Sequence, residues 1–159
     1  MLKIVLILLG INFTERLLGL LFISRWQREQ YAGWGWNKTR LWAAGSFALM
    51  WFMSLLSPLS GRRLQPWFLV SYFIGALITT WAVRVNPYFV PAIIKIPEIL
   101  LVKTGPYKYL RHPGYFGMLI QAASFACIFN TFPVFLGALL YTAVVLWVRH
   151  TEDQLLYPQ

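Results

Sequence analysis

The residue types best suited to chemistry are concentrated in residues 103–117, which read KTGPYKYLRHPGYFG and lie between long apolar segments. The Gly-Pro pair at 105–106 predicts a turn, and Pro113 suits the first turn of a helix, where its missing N–H costs nothing. Arg111 and His112 would then lie at a helix N-terminus. Unpaired N–H groups and the positive end of the helix dipole favour a carboxylate or a phosphate at such a place. The stretch therefore predicts a binding site for an anionic group.

A second polar cluster follows the last apolar segment. Of the five carboxylates in the chain, only Glu152 and Asp153 stand next to a candidate site with cations beside them. No GxGxxG follows a strand pattern and no GxSxG occurs, which argues against a Rossmann cofactor domain and a nucleophile elbow. Cys127 is the only cysteine, so an intrachain disulfide and a cysteine-based metal site are excluded, and two histidines without an HExxH spacing argue against a protein-bound zinc.

Membrane helices are the elements that must position these clusters. The 159 residues are 58% hydrophobic and only 12% charged. Apolar runs recur at close to the ~20 residues that cross a bilayer as a helix. The predicted spans are residues 2–23, 41–59, 66–85, 114–129 and 134–148. We therefore expect an all-α integral membrane protein, a single transmembrane domain built as a bundle of about five transmembrane helices, with a proline-rich cytoplasmic loop between spans three and four.

The distribution of cations predicts the orientation. With five spans, one side carries Arg25, Arg28, Lys38, Arg40, Arg84, Lys95, Lys103, Lys108, Arg111 and Arg149, and the other carries Lys3, Arg62 and Arg63. The positive-inside rule makes the first side cytoplasmic and places the N-terminus outside, so that the C-terminus and both polar clusters lie at the cytoplasmic mouth. Membrane topology thus accounts for the formal charge of +9, and nucleic acid is not expected as a partner.

Prolines are concentrated in the longest connection between the predicted spans. Five of the nine prolines (Pro87, Pro91, Pro97, Pro106 and Pro113) fall within residues 86–113, so no long helix can cross this region. Non-helical backbone near membrane depth is tolerated where it is buried in protein or lines a cavity, which favours a functional loop over a plain linker.

Polar and small residues also form stripes on two of the spans. In span one the stripe consists of Asn12, Glu15, Arg16 and Gly19, and it fits a polar lining of a substrate or cofactor cavity as well as a structural contact between helices. In span four it consists of Gly114, Gly117, Gln121 and Ser124, and it predicts close helix packing.

Residues 104–117, TGPYKYLRHPGYFG, resemble the signature of the integral-membrane methyltransferases typified by isoprenylcysteine carboxyl methyltransferase, and the membrane phospholipid N-methyltransferases have a related pattern. The matching pieces are an apolar pair at 101–102, G-x-Y at 105–107 and R-H-P-x-Y-x-G at 111–117. After a helical hairpin come Arg149, the acidic pair at 152–153 and Leu155. In eukaryotic members the Arg precedes the Glu by four positions; here Arg149 precedes Glu152 by three, and Asp153 replaces the second Glu.

The resemblance implies that S-adenosylmethionine is held by residues of about 99–156, with S-adenosylhomocysteine as the product. The implied cofactor contacts are Ile99, Leu100, Leu101, Val102, Tyr107, His112, Pro113, Gly114 and Tyr115. Arg149 and Glu152 are implied to contact the acceptor or the cofactor. Together with His112, they form the expected catalytic group.

The chemistry of such a cofactor suits these residue types. Helix-end N–H groups and Arg111 can hold its carboxylate, and Glu152 can hold its ammonium group or its ribose hydroxyls. Tyr107 and Tyr115 can face the adenine or the sulfonium, the latter by cation–π attraction. A lipophilic or lipidated acceptor would enter from the bilayer.

The nature of the acceptor decides whether the reaction needs a base. A carboxylate acceptor, which we favour, is its own nucleophile. An amine, thiol or phenol would require deprotonation, for which His112, Glu152 and Asp153 are the available groups.

Other interpretations of the same residues stay open. A phospholipid amine N-methyltransferase is the first alternative to carboxyl O-methylation. An NADPH-dependent sterol or enoyl reductase would also place an Arg-His pair near a tyrosine, and a haem protein would use His112 and His150. A non-enzymatic membrane subunit would bind none of these cofactors.

Overall fold

The computed structural model describes residues 4, 6–12, 14, 38–55, 64–86 and 102–156. Four helices lie within these ranges: α1 (Lys38–Leu55), α2 (Leu69–Val85), α3 (Pro113–Phe129) and α4 (Phe132–Leu156). Residues 4, 6–12 and 14 are also helical. Two short 3₁₀ helices, Pro66–Phe68 and Gly105–Lys108, precede α2 and α3. No strand occurs in the described ranges, so the predicted all-α class is confirmed for this part of the chain.

Two of the helical segments have the length and composition of membrane spans. They are Pro66–Val85, which joins the first 3₁₀ helix to α2, and Phe132–Gln154 within α4. Ala44–Leu55 and Pro113–Phe129 are shorter apolar helices. The predicted span 66–85 coincides with the first of these segments, and α3 matches the predicted span 114–129 to within one residue.

The remaining predicted spans agree less closely with the structure. The span predicted for 134–148 lies within α4, which continues to Leu156, so the C-terminal polar cluster is part of the same helix. Residues 56–59 of the second predicted span lie outside the described residues, as does most of the first span and the loop 87–101. Five transmembrane helices and the proline-rich loop therefore stay predictions.

Helices α2 and α3 pack along each other at the predicted small face of α3. A Cβ added to Gly117 would lie 2.6 Å from the carbonyl oxygen of Gly75, and one added to Gly75 would lie 2.8 Å from the carbonyl oxygen of Gly117. Thr79, which is buried against Gly117, donates to the Gly75 carbonyl at 3.0 Å. This contact requires glycine on both helices because each backbone occupies the space that a side chain would need. The close packing predicted for this face is thus observed.

The core lies between these helices and is centred on Phe125 of α3. Its ring centroid lies 4.9 Å from that of Trp51 in α1 and 4.8 Å from that of Phe129. On α2, Tyr72 is buried beside it, and the Asn12 side chain donates to the Tyr72 hydroxyl at 2.6 Å. Asn12 thus makes a contact between helices. Glu15, Arg16 and Gly19, the other residues of the predicted stripe in span one, lie outside the described residues.

A tight turn joins α3 to α4. Asn130 takes the left-handed conformation (φ 48°, ψ 42°), which asparagine tolerates better than most residues. Its N–H donates to the Ala126 carbonyl, and the N–H of Phe135 donates to the Thr131 carbonyl at the start of α4. The chain therefore reverses within a few residues, and the N-terminus of α3 lies at the same end of the hairpin as the C-terminus of α4. This hairpin brings the two predicted polar clusters together.

Candidate functional site

The first side of the site is the 3₁₀ helix Gly105–Lys108. Gly105 has φ 58°, and a Cβ at this position would lie 2.9 Å from the side chain of Val85, at the end of α2. Glycine is thus required both by its backbone conformation and by the close approach of α2. The turn is held by the Tyr107 N–H, which donates to the Thr104 carbonyl at 3.2 Å, and Pro106 is buried. The predicted Gly-Pro turn is confirmed, and it rests on the end of α2.

This turn presents Tyr107 to the interior. The side-chain amide of Asn86 donates to the Tyr107 hydroxyl at 3.2 Å. Burial raises the pKa of the hydroxyl to about 12; the bond from Asn86 opposes this effect, and the negative charge of Glu152 adds to it. Tyr107 is therefore a neutral phenol at physiological pH, with its proton available to a hydrogen-bond acceptor.

The second side is the start of α3. His112 occupies the N-cap position with non-helical backbone (φ −129°, ψ 65°), and Pro113 is the first helical residue, as the sequence predicted. The imidazole makes no capping hydrogen bond. It points instead toward α4, where its Nε2 atom lies 2.6 Å from Oδ1 of Asp153. Only 12% of its side chain is exposed, and its ring centroid lies 5.7 Å from that of Tyr115.

The third side is the last part of α4. Arg149 and Asp153 are four residues apart and therefore lie on one face of the helix, with Nε of Arg149 3.5 Å from Oδ2 of Asp153. Asp153 thus contacts both a residue of its own helix and His112 of α3. In the eukaryotic proteins that the sequence resembles, an arginine precedes the glutamate by four positions. Here Arg149 precedes Asp153 by four positions and Glu152 by only three.

Glu152 faces a different neighbour. Its carboxylate accepts a hydrogen bond from the hydroxyl of Tyr115. Oε2 of the same carboxylate is buried and has no hydrogen-bond partner within the described part of the chain. A buried carboxylate oxygen without a partner is costly, typically by about 1–3 kcal/mol or more for a charged group. An N–H or O–H donor supplied by a ligand would satisfy this atom.

The structure brings most of the predicted site residues to one end of the molecule. Pro113 and Gly114 are buried in the first turn of α3, and the Gly114 carbonyl lies 3.5 Å from the Thr79 hydroxyl. Val102 is half-buried and Arg111 is exposed. The predicted contacts Ile99, Leu100 and Leu101 lie outside the described residues.

Two polar residues at this end were not among the predicted site residues. Asp153 was named only as an available base, although its i,i+4 spacing from Arg149 predicts a pair on one helical face. Asn86 follows α2 and contacts Tyr107; no local pattern in the sequence connects these two positions.

Comparison with known proteins identifies the family of this chain. The profile of the isoprenylcysteine carboxyl methyltransferase (ICMT) family matches residues 68–157, more than half of the chain, so the protein belongs to this family. The match begins just before α2 and ends just after α4, and it therefore includes Tyr107, His112 and Glu152. Family membership and the two long apolar helices indicate a membrane methyltransferase.

One curated protein is also similar to this chain. It is the uncharacterized protein YpbQ of Bacillus subtilis (strain 168), which is 26% identical over 115 residues, covering 68% of each chain. No solved structure matches the chain.

Proposed function

We propose that this protein is an S-adenosylmethionine-dependent methyltransferase for a lipophilic acceptor carried in the membrane, with carboxyl O-methylation as the favoured reaction. Family membership supports the reaction class. The observation that carries the cofactor assignment is the buried Oε2 atom of Glu152, which has no partner among the described residues. The ammonium group and the ribose hydroxyls of the cofactor are donors that fit this atom.

The other groups at this end complement the rest of the cofactor. The start of α3 provides backbone N–H groups beside Arg111, which suits a carboxylate. Tyr107 and Tyr115 provide aromatic rings and hydroxyl groups near Glu152. When bound, S-adenosylmethionine supplies an electrophilic methyl group on its sulfonium. The residues of the chain hold and orient the reactants and keep water away from them, which is the main requirement of an in-line displacement.

The His112–Asp153 contact supports a second candidate acceptor. A carboxylate acceptor needs no base from the protein. An imidazole held by a carboxylate is an arrangement suited to proton abstraction, and it fits a phospholipid amine, a phenol or a thiol. In the carboxyl reaction we assign Arg149, which is 46% exposed, to the anionic acceptor.

Cofactor binding tests the proposal directly. Calorimetric titration of detergent-purified protein with S-adenosylhomocysteine should show one saturable site, and Glu152→Gln should weaken it. His150→Gln is the matched control, because His150 is on the same helix, is exposed and forms a hydrogen bond with Gln154 one turn further along that helix. Saturation by NADPH instead would favour the reductase alternative, and no saturation by either ligand would favour a non-enzymatic role.

The acceptor can be identified separately. Protein supplied with methyl-labelled S-adenosylmethionine and a lipid extract should transfer label to a lipid. Release of labelled methanol by mild base would identify an ester and hence carboxyl O-methylation. A base-stable label would identify transfer to an amine or another heteroatom.

We also propose that this end of the molecule faces the cytoplasm and that the N-terminus lies outside. The support is the concentration of cations around the ends of α2, α3 and α4: Arg84, Lys103, Lys108, Arg111 and Arg149. A Cys127→Ser background makes this testable because Cys127 is the only cysteine. A cysteine introduced at Lys103 should react with an impermeant thiol reagent only after the cytoplasmic side is made accessible. Labelling in intact cells would show that the orientation is the opposite of the one proposed.

A further inference from the structure

The Asp153 carboxylate contacts both His112 and Arg149, two of the three predicted catalytic residues. Oδ1 lies 2.6 Å from Nε2 of His112, and Oδ2 lies 3.5 Å from Nε of Arg149. His112 belongs to the start of α3 and Arg149 to α4, and 41 positions separate His112 from Asp153. One carboxylate therefore connects the two halves of the site.

We propose that Asp153 is a positioning residue that fixes the orientation and the tautomer of His112 and holds Arg149 beside it. What the ring is oriented toward depends on the function proposed above, whereas the contact itself does not. Glu152 cannot take this role, because neighbouring residues of a helix point about 100° apart and its carboxylate is directed to Tyr115.

The chemistry of the two groups decides which atom carries the proton. An ionised carboxylate can only accept hydrogen bonds, so Nε2 of His112 must be the donor. In the neutral imidazole, Nδ1 is then left with its lone pair. The side chain of His112 is only 12% exposed, so water is a poor substitute for Asp153 as the partner of Nε2. Removing the carboxylate leaves a nearly buried N–H without an acceptor and releases the ring from its hydrogen bond to Asp153.

The consequence for the site is a defined acceptor at Nδ1. A ring free to rotate about its χ2 angle would present either nitrogen or a C–H to the same place. A ring held by Asp153 presents only Nδ1 to that place. Asp153 thus acts through His112 and Arg149 and need not touch any ligand itself.

The chain is well suited to a spectroscopic test because it contains only two histidines. In a His150→Gln background, the ring nitrogens of His112 give the only imidazole signals in ¹⁵N-labelled protein. We expect a downfield Nε2 proton that exchanges slowly with solvent. Asp153→Ala should abolish this slow exchange. Asp153→Asn should retain part of it, because the amide oxygen still accepts from Nε2, and Glu152→Gln should leave it in place.

Affinity for S-adenosylhomocysteine provides the functional half of the test. A hydrogen bond to a charged group corresponds to about tenfold or more in an equilibrium constant. We expect Asp153→Ala to weaken binding by about tenfold and Asp153→Asn to restore a measurable part of it. Thermal unfolding of each variant checks that the helices remain folded.

The outcomes separate the two proposals. A slowly exchanging Nε2 proton that persists in Asp153→Ala overturns the positioning role. Loss of that proton with unchanged affinity also overturns it, since the orientation of His112 would then have no effect on the site. If the wild-type protein shows the Asp153-dependent proton but binds no S-adenosylhomocysteine, the cofactor assignment fails while the His112–Asp153 contact is upheld.

Discussion

Nε2 of His112 and Oδ1 of Asp153 lie 2.6 Å apart across the open end of the α3–α4 hairpin. This contact joins a loop residue at the start of one helix to the last turns of the next. Tyr115 lies near Asp153, Glu152 and Tyr107 at the same end of the hairpin. The charged and polar groups that the sequence separates into two clusters therefore form one site.

Glu152→Gln should weaken binding of S-adenosylhomocysteine by about tenfold or more, because the amide loses the charge that attracts a donor and presents an NH₂ group in place of one oxygen. Isothermal titration of wild type and variant measures this change. His150→Gln should bind like wild type. Equal affinities of Glu152→Gln and wild type would contradict the role of Oε2.

His112→Ala should also weaken cofactor binding while leaving the helices folded. Its imidazole does not cap the helix, so α3 should still begin at Pro113. The backbone hydrogen bond from the N–H of Phe116 to the carbonyl of residue 112 is also kept. Circular dichroism and thermal unfolding report on the fold, and calorimetry reports on the site. A variant with wild-type affinity would remove His112 from the cofactor-binding group.

Arg149→Ala should reduce turnover more than it reduces cofactor affinity. Arg149 is about half exposed while it contacts Oδ2 of Asp153, so its guanidinium remains accessible to an acceptor. The comparison requires the rate with saturating methyl donor and the calorimetric affinity of the same preparation. If both decrease by the same factor, Arg149 serves the cofactor rather than the acceptor.

Gly117→Ala should destabilise the protein by about 1–3 kcal/mol, because its Cβ would enter the backbone of α2 at Gly75 and the side chain of Thr79. Gly45→Ala is the control: in the part of the chain that the structure describes, no atom outside the local helix backbone lies within 4 Å of a Cβ at that position, and alanine is the better helix former. Thermal unfolding in detergent should show a lower Tm for Gly117→Ala and an equal or higher one for Gly45→Ala. Two equal shifts would show that α2 and α3 can separate without penalty.

The sequence predicted the features that depend on local chemistry. Pro113 at the first position of a helix, the turn at 105–106 and the small face of α3 each follow from the steric properties of proline and glycine, and all three occur in the structure. The last predicted span ends at residue 148, where polarity begins, whereas the helix α4 continues to Leu156. The i,i+4 pair of Arg149 and Asp153 is compatible with this continuation.

Other features depend on tertiary contacts that no local pattern encodes. The contact of Asn86 with Tyr107 requires α2 to end beside the 3₁₀ helix, and the division of roles between Glu152 and Asp153 depends on the rotation of α4 about its axis. A single sequence shows that both acidic residues lie near the site. It does not show which one points to His112 and which to Tyr115.

The tight connection at Asn130 has a mechanical consequence. α3 extends about 25 Å from this turn to His112, at 1.5 Å per residue, so a change of one degree in the angle between α3 and α4 displaces His112 relative to Glu152 by roughly 0.4 Å. A change of tilt is one way in which helices adapt to bilayers of different thickness. The acyl-chain length of the surrounding lipid should accordingly regulate turnover, with the highest rate in the bilayer whose thickness leaves this angle unchanged.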